Sequence, residues 1–318
     1  MSHRVLAVIV CYNPNIEALK VQLKALREQQ VAALLVDNAS SNIAALEVLL
    51  KDLGENISLR RLAQNMGLGA AHNLGVSVAR DHGYTHVLLL DQDSVPLPGM
   101  VDKLLQAWVS KQQQLREGRE NSAIGLSAVG ASYLNADTGS ESFFVRFGLI
   151  KFQRNYCSQQ DTDGCIEADF LISSGSLIAL QTLDEIGLMD ESLFIDHVDT
   201  EWFLRARSMG YRAYGVCGAR MQHGLGETTH QIRIGRRRNV PQHKPFRYYY
   251  IFRNSVLLYR RGNAAAVWKW NDLQRLLMIA FWFGLVKGPR LGNLRMMGKG
   301  VMHGLRGTSG PMPTKPTQ

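Results

Sequence analysis

His86-Val-Leu-Leu-Leu-Asp-Gln-Asp-Ser94 is the stretch on which the fold turns. Val87 to Leu90 form a short, unbroken apolar run, which reads as a strand buried on both faces. Asp91 and Asp93 follow it directly, two residues apart, so at least one carboxylate faces the crevice beyond the strand's carboxyl end. Ligands bind in that crevice in open α/β sheets. Working outward, the same unit recurs upstream. Val5 to Val10 is a strand that turns at Asn13-Pro14, and Ile16, Leu19, Leu23 and Leu26 follow at helical spacing. Ala32 to Val36 is a second strand, a helix over 43–53 leads to a third from Ile57 to Leu62, and a helix over about 68–82 precedes the strand that opens this section. Strands alternating with helices predict an α/β fold with a mostly parallel, Rossmann-like sheet flanked by helices. Polar clusters stand at three strand ends: Cys11-Tyr12-Asn13, Asp37-Asn38 and Asp91-Gln92-Asp93.

Downstream the pattern loosens. Residues 120–170 read as mixed strands and loops, a Ser/Gly turn stands at Ser173-Ser174-Gly175-Ser176, and a helix runs from about Thr200 to Met209 and stops at Gly210. Tyr248 to Arg261 and the very apolar Trp268 to Val286 are further helices, and the Pro-rich end from Gly307 is expected to be disordered. The chain has 318 residues, 46% of them apolar and 20% charged, which excludes disordered and fibrous classes. Cys11, Cys157, Cys165 and Cys217 lie far apart without C-x-x-C spacing, so neither a zinc knuckle nor a disulfide framework is expected and a reducing cytoplasm fits. The run after Met1-Ser2-His3-Arg4 is too short for a signal peptide. The net charge of +9 is uneven: up to Glu227 there are 19 Lys and Arg against 26 Asp and Glu, while from Thr228 there are 17 against Asp272 alone. A mildly acidic body thus carries a strongly basic tail, suited to anionic surfaces.

Several residues carry candidate chemistry. Asp91 and Asp93 are hard oxygen donors suited to Mg2+ or Mn2+, which take their other ligands from water and phosphates; a solvated turn is the bland alternative. Asp37 can accept from the imide N–H of uracil or thymine, or simply cap a turn in Asp37-Asn-Ala-Ser40. The small-residue segment Gln64 to Gly75 opens a helix, bringing Asn65 and Asn73 toward a nucleotide; the G-x-G-x-x-G pattern fails at His72, and plain helix–sheet packing stands as an equal reading. Phe194-Ile-Asp-His-Val-Asp-Thr-Glu-Trp-Phe-Leu-Arg205 gathers Asp196, Asp199 and Glu201 within six residues. Asp199, at a helix start, suits a general base that deprotonates an acceptor hydroxyl, or a helix cap. His197 and His223 are further candidates, His223 as a metal ligand.

Together these clusters resemble the family-2 glycosyltransferases of GT-A fold, and within them the rhamnosyltransferases, rhamnolipid rhamnosyltransferases included. The resemblance rests on Val10-Cys-Tyr-Asn-Pro14, Val36-Asp-Asn38, Leu88-Leu-Leu-Asp-Gln-Asp-Ser94, Phe170-Leu-Ile-Ser-Ser-Gly175 and Leu193 to Arg205, and it spans about residues 5 to 261. It implies inverting transfer of L-rhamnose from dTDP-L-rhamnose to a hydroxyl of a glycolipid, lipid-linked saccharide or polysaccharide, with Mg2+ or Mn2+ as cofactor. Asp199 matches the catalytic position, although Val198 precedes it where the family usually has Glu, which makes Asp196 a rival. Tyr12, Asn13, Asp37, Asn65, Asn73, Asp91 and Gln92 match the donor side; Asp93, Asp91 and His223 match the metal site. Asp196, His197, Glu201, Trp202, Arg247 and Arg253 are expected near acceptor or diphosphate. The implied organisation is a nucleotide-sugar half at 1–115, an acceptor and catalytic half at 116–230, and a basic helical extension at 231–318.

Leu276 to Val286 gives eleven apolar residues in a row, half of what a spanning helix needs, so the segment is expected to lie in a membrane interface, with Trp268, Trp270, Trp282, Lys269 and Lys287 at the headgroups. A core helix or a homo-oligomer surface is the alternative. Arg236-Arg237-Arg238 marks no known nucleic-acid module, so no nucleic acid is expected. The expected location is peripheral, at the cytoplasmic face of the inner membrane.

Overall fold

The computed structural model describes residues 3–53, 56–118, 123–135, 141–157, 164–224, 229–234 and 236–313. The first half follows the alternation read from the chain: β1 (Val5–Cys11), α1 (Ile16–Glu28), β2 (Ala32–Asp37), α2 (Ile43–Leu53), β3 (Ile57–Arg61), α3 (Leu68–Asp81) and β4 (His86–Asp91). Asn15 caps α1 by accepting from the Ala18 N–H at 3.1 Å, and the helix buries Leu19, Gln22, Leu23 and Leu26. A short β5 (Ser94–Pro96) and α4 (Met100–Arg116) follow. Next come β6 (Gly125–Asn135), β7 (Phe143–Phe147), β8 (Phe152–Tyr156), β9 (Cys165–Ala168), β10 (Ser176–Ala179), α5 (Leu180–Ile186), a 3-10 turn at Glu191–Leu193, α6 (Val198–Ser208) and β11 (Tyr211–His223). The tail holds β12 (Thr229–Ile234), β13 (Arg236–Pro241), α7 (Pro245–Tyr259), α8 (Ala266–Phe281), a π-helical turn at Trp282–Val286 and α9 (Arg290–Leu305).

One nine-stranded sheet has the order β3-β2-β1-β4-β10-β6-β11-β5, with β9 beside β11. β1, β2, β3 and β4 are mutually parallel, whereas β10 runs antiparallel to both β4 and β6. Side chains alternate across the parallel strands: Val8, Leu34 and Leu89 pack on the face that also holds Ile178 and Trp202, while Ile9, Leu35 and Leu90 pack against Leu19 and Leu23. Both faces are covered, which is why the strands read as continuous apolar runs.

The extension has its own core of Tyr248, Ile251, Phe252, Leu276, Ile279, Phe283 and Met297. Gly300 and Gly304 let α9 lie directly on α7, since a Cβ at either would collide with the Tyr249 or Arg253 carbonyl. Two expectations are corrected here. Residues 307–313 are ordered by contacts with α7: the Met312 N–H donates to the Tyr250 hydroxyl at 2.8 Å, and Arg253 donates to the Gly310 carbonyl. Residues 314–318 lie outside the described residues. Cys157 and Cys217 are joined in a disulfide, with Cα atoms 5.4 Å apart across a sequence separation of 60. Their wide spacing along the chain hid the pairing, because the partners meet only when β8 folds back toward β11. Closing a loop of that length stabilises by about 4 kcal/mol in the chain-entropy model. Reduction, or Cys157→Ser, should therefore lower the unfolding free energy measured in denaturant by up to that amount, and equal midpoints for the oxidised and reduced protein would refute the contribution.

Candidate active site

The strand end that carries Asp91 is fixed from three directions. The buried Gln22 side chain on α1 donates to the Asp91 carbonyl at 2.8 Å, and the Asp91 N–H donates to the Ser174 hydroxyl at 3.0 Å. Ser174 also shares a hydrogen bond of 2.7 Å with Ser94. The neighbouring Ser173 N–H donates to the Asp199 carboxylate at 3.3 Å. Two consecutive residues of the turn before β10 therefore tie Asp91 and Asp199 into one site. Neither Gln22 nor the serine pair was singled out from the sequence; only the Ser/Gly composition of the turn pointed there.

Asp199 lies in the first turn of α6, which starts at Val198, two residues earlier than its alternative role as cap requires; His197, in a left-handed conformation, occupies the cap position and makes no side-chain cap bond. The Asp199 carboxylate accepts from the Thr200 N–H at 2.7 Å as well as from Ser173. Burial pushes its pKa above the ordinary carboxylate value, and these hydrogen bonds only partly offset that. A partly buried carboxylate of this kind is suited to taking a proton.

The loop before α6 is strained. Phe194, Asp196 and His197 all have positive φ, at 67°, 61° and 63°. It is gripped from two sides. From α3, the Leu68 N–H donates to the Phe194 carbonyl at 2.6 Å, and Asn73 bonds the Met189 backbone and Glu191. From α7, the buried Asn254 side chain donates to the Leu193, Ile195 and Asp196 carbonyls at 3.0, 2.8 and 2.8 Å, while Arg253 donates to the Leu193 carbonyl at 2.8 Å. Arg247 pairs with Asp196 at 2.7 Å. His197 is buried, and its Nε2 lies 2.9 Å from Arg275 and 3.0 Å from Ser255. Arg275 can only donate, so that nitrogen accepts and the ring is neutral, in line with burial lowering its pKa. Asp272, buried on α8, receives Arg275 at 2.6 Å and the Tyr259 hydroxyl at 2.7 Å.

Several expected contacts with donor or acceptor are taken up by the protein itself. Asn65 accepts from the Gly67 N–H, and Asn13 accepts from Ser41. Asn73 and Arg253 hold the loop just described. Glu201 is buried against Arg205 and Arg261, and Trp202, fully buried, donates from its indole to the Gly187 carbonyl at 2.8 Å. Glu201, Trp202 and Arg253 face inward because the helical period turns them toward the core. Gly67 and Gly69 have the same meaning: a Cβ at either would press on the backbone of Phe194 or Asp190, which decides the small-residue segment in favour of packing. Asp37 accepts from the Ser40 N–H at 3.2 and 3.3 Å, the turn-capping arrangement, and Gln92 accepts from the Tyr12 N–H at 2.8 Å. The Tyr12 ring is half exposed, open to a ligand at the same rim.

For a cation, the described residues contain no group of three His, Cys, Asp or Glu placed to hold one. The side chain of His223 lies outside the described residues, as do those of Arg236-Arg237-Arg238 on β13. The backbone nonetheless brings His223 beside the pair: it registers with Ser94 in the β5–β11 ladder, the Gly224 N–H donates to the Asp93 carbonyl at 3.2 Å, and Asp93 Oδ2 lies 4.0 Å from where a Cβ of Gly224 would stand. Two hard carboxylates at the strand end, with an imidazole carried on the next strand, fit a divalent cation.

Comparison with known proteins follows the same lines. The model of glycosyl transferase family 2 matches residues 6–114. The dTDP-rhamnosyl transferase RfbF of Shigella flexneri is 30% identical over 265 residues, 83% of this chain and 82% of that protein. The chain belongs to glycosyl transferase family 2. This transferase also shares its fold with S. aureus TarS 1-349 in complex with UDP-GlcNAc, at a TM-score of 0.56 and 13% identity, covering 95% of this chain and 81% of that one. A second crystal structure of S. aureus TarS 1-349 matches at a TM-score of 0.54 and 14% identity, over 95% of this chain and 80% of that one. The GT-A architecture of the transferase, a sheet with parallel and antiparallel halves and helices on both faces, is the one expected from its sequence.

Proposed function

We propose that the transferase moves L-rhamnose from dTDP-L-rhamnose to a hydroxyl of a glycolipid, lipid-linked saccharide or polysaccharide, with inversion at the anomeric carbon. The likeness to the Shigella dTDP-rhamnosyl transferase over most of both chains supports the donor. The observation that carries the chemistry is the partly buried Asp199 carboxylate, tied through Ser173-Ser174 to the strand end of Asp91. In this reading Asp199 takes the proton of the acceptor hydroxyl as its oxygen attacks the anomeric carbon. The bond from that carbon to the diphosphate oxygen breaks, and its electron pair leaves with dTDP. Thymine binds at Asp37 and Tyr12, and the ribose approaches Asp91. Asp93 and Asp91, with His223, would hold Mg2+ or Mn2+, which supplies charge neutralisation for the leaving diphosphate. Arg247, paired with Asp196 at the base loop, faces the acceptor or diphosphate.

Among the described residues no helix is long and apolar enough to cross a membrane. We infer an encounter with the acceptor at the inner face of the cytoplasmic membrane, supported by the basic tail.

The test is turnover of a panel of nucleotide sugars by the purified protein with Mg2+ or Mn2+. Release of dTDP from dTDP-L-rhamnose, accelerated by acceptor, is expected. Release from a different sugar nucleotide alone would overturn the donor, and silence across the panel with acceptors present would overturn the reaction.

A further inference from the structure

Helix α8 has two faces of different character. Trp268, Asp272, Leu276 and Ile279 point inward and are buried, and Phe283 follows them in the π turn. This revises the sequence reading, which set Trp268 and the whole run from Leu276 to Val286 at the headgroups. What faces outward is a ridge at spacings of seven, four and four: Trp270, Leu277, Phe281 and Leu285, each more than half exposed. No element among the described residues covers it.

A second, separate element ends beside this ridge. The turn between β7 and β8 presents Leu149, fully exposed, and Ile150, at 66%. Its position is fixed by the Asn271 side chain of α8, which donates to the Ile150 carbonyl at 3.1 Å. Two large exposed aliphatic residues at a hairpin tip are thus tied to the helix that carries the uncovered apolar ridge, from parts of the chain about 120 residues apart. Cations border it: Lys151 beside the tip, and Lys287, Arg290 and Arg295 where the ridge ends, all exposed. The only acid in residues 243–313, Asp272, is buried and paired with Arg275. An apolar strip rimmed by positive charge, with no surface acid along the helices that carry it, matches an anionic phospholipid surface.

We propose that the β7–β8 tip and the outer ridge of α8 together form the face by which this transferase lies on anionic membrane. The proposal extends the membrane encounter inferred above by naming its surface, and it does not depend on the identity of the donor. The buried face of the same helix carries Asp272 and Arg275, which hold His197 two residues before Asp199. Docking through α8 therefore sets the base loop one helix thickness from the lipid, where a lipid-anchored hydroxyl is available.

The experiment is flotation of the full chain with vesicles of phosphatidylcholine alone, or with about one third phosphatidylglycerol. Binding to the anionic vesicles is expected, weakened by salt. Two variants probe the two elements separately: Leu149→Glu with Ile150→Glu at the tip, and Leu277→Glu with Phe281→Glu on the ridge. All four side chains are solvent-exposed, so unchanged thermal unfolding is expected for both, with anionic-vesicle binding reduced at least about tenfold in each. Absence of vesicle binding by the parent chain, or undiminished binding by either variant, overturns the proposal. So does a concentration-dependent dimer that the ridge variant abolishes, since the face would then belong to a second copy. A chain that floats with vesicles yet releases no dTDP would keep this face and lose the rhamnosyl reading.

Discussion

Asp199→Asn should lower turnover about a thousandfold, the scale of a lost general base, while dTDP-L-rhamnose binds almost as before. The amide preserves the size of the side chain but cannot take a proton. It loses one of the two N–H acceptor roles toward Ser173 and Thr200, so unfolding should be recorded beside kinetics. Asp196, the rival base, is already paired with Arg247 at 2.7 Å, which occupies one of its oxygens. Near-normal turnover by Asp199→Asn would move the role to Asp196 despite that pairing. The pH profile offers an independent check. Burial raises the pKa of Asp199, and the reaction needs its ionised form, so kcat/KM should be full above that raised pKa and fall as pH drops through it. An acidic limb in the ordinary carboxylate range would argue against Asp199.

Asp93→Ala should weaken donor binding on the order of 100-fold when Mg2+ or Mn2+ is present, and hardly at all when the metal is chelated. The expectation comes from the place of Asp93 between β4 and β5, against the backbone at Gly224. A surface carboxylate with no such task would instead give equal affinity before and after substitution in either condition. The parent chain serves as control: if its donor affinity is the same with and without metal, the assignment fails whatever the variant does.

The parallel half was legible because β1, β2 and β4 are buried on both faces, and an apolar run bounded by polar strand ends leaves little choice of structure. The Asp91-Gln92-Asp93 cluster was legible for the same reason. Helix α4 carries no motif, and α9 is rich in glycine, because its contact with α7 requires bare backbone at Gly300 and Gly304; neither stood out. In the apolar run of α8, composition alone could not tell the buried face from the exposed one, which depends on what α7 and α9 cover. Around Asp199, the acidic cluster was visible but its division of labour was not. Arg247 separates Asp196 from the base, and Arg205 and Arg261 hold Glu201; Arg205 stands at helical spacing from it, but Arg247 and Arg261 lie 51 and 60 residues from their partners and follow no period. The internal bonds of Asn65 and Asn73 were hidden for a related reason, since an asparagine that closes a turn or bridges two loops looks, in one dimension, like one that binds a ligand.

The backbone of the loop before α6 is held through four successive carbonyl oxygens, Leu193 to Asp196, by the Asn254 amide, Arg253 and the Leu68 N–H. Every amino acid brings the same carbonyl. The polar grip on that backbone is therefore indifferent to which side chains stand there, although Leu193 is held by the core and Phe194 by its stacking on Tyr250, whereas position 254 has almost no freedom. Such a division gives the lineage a hinge for changing what it glycosylates while keeping how it does so.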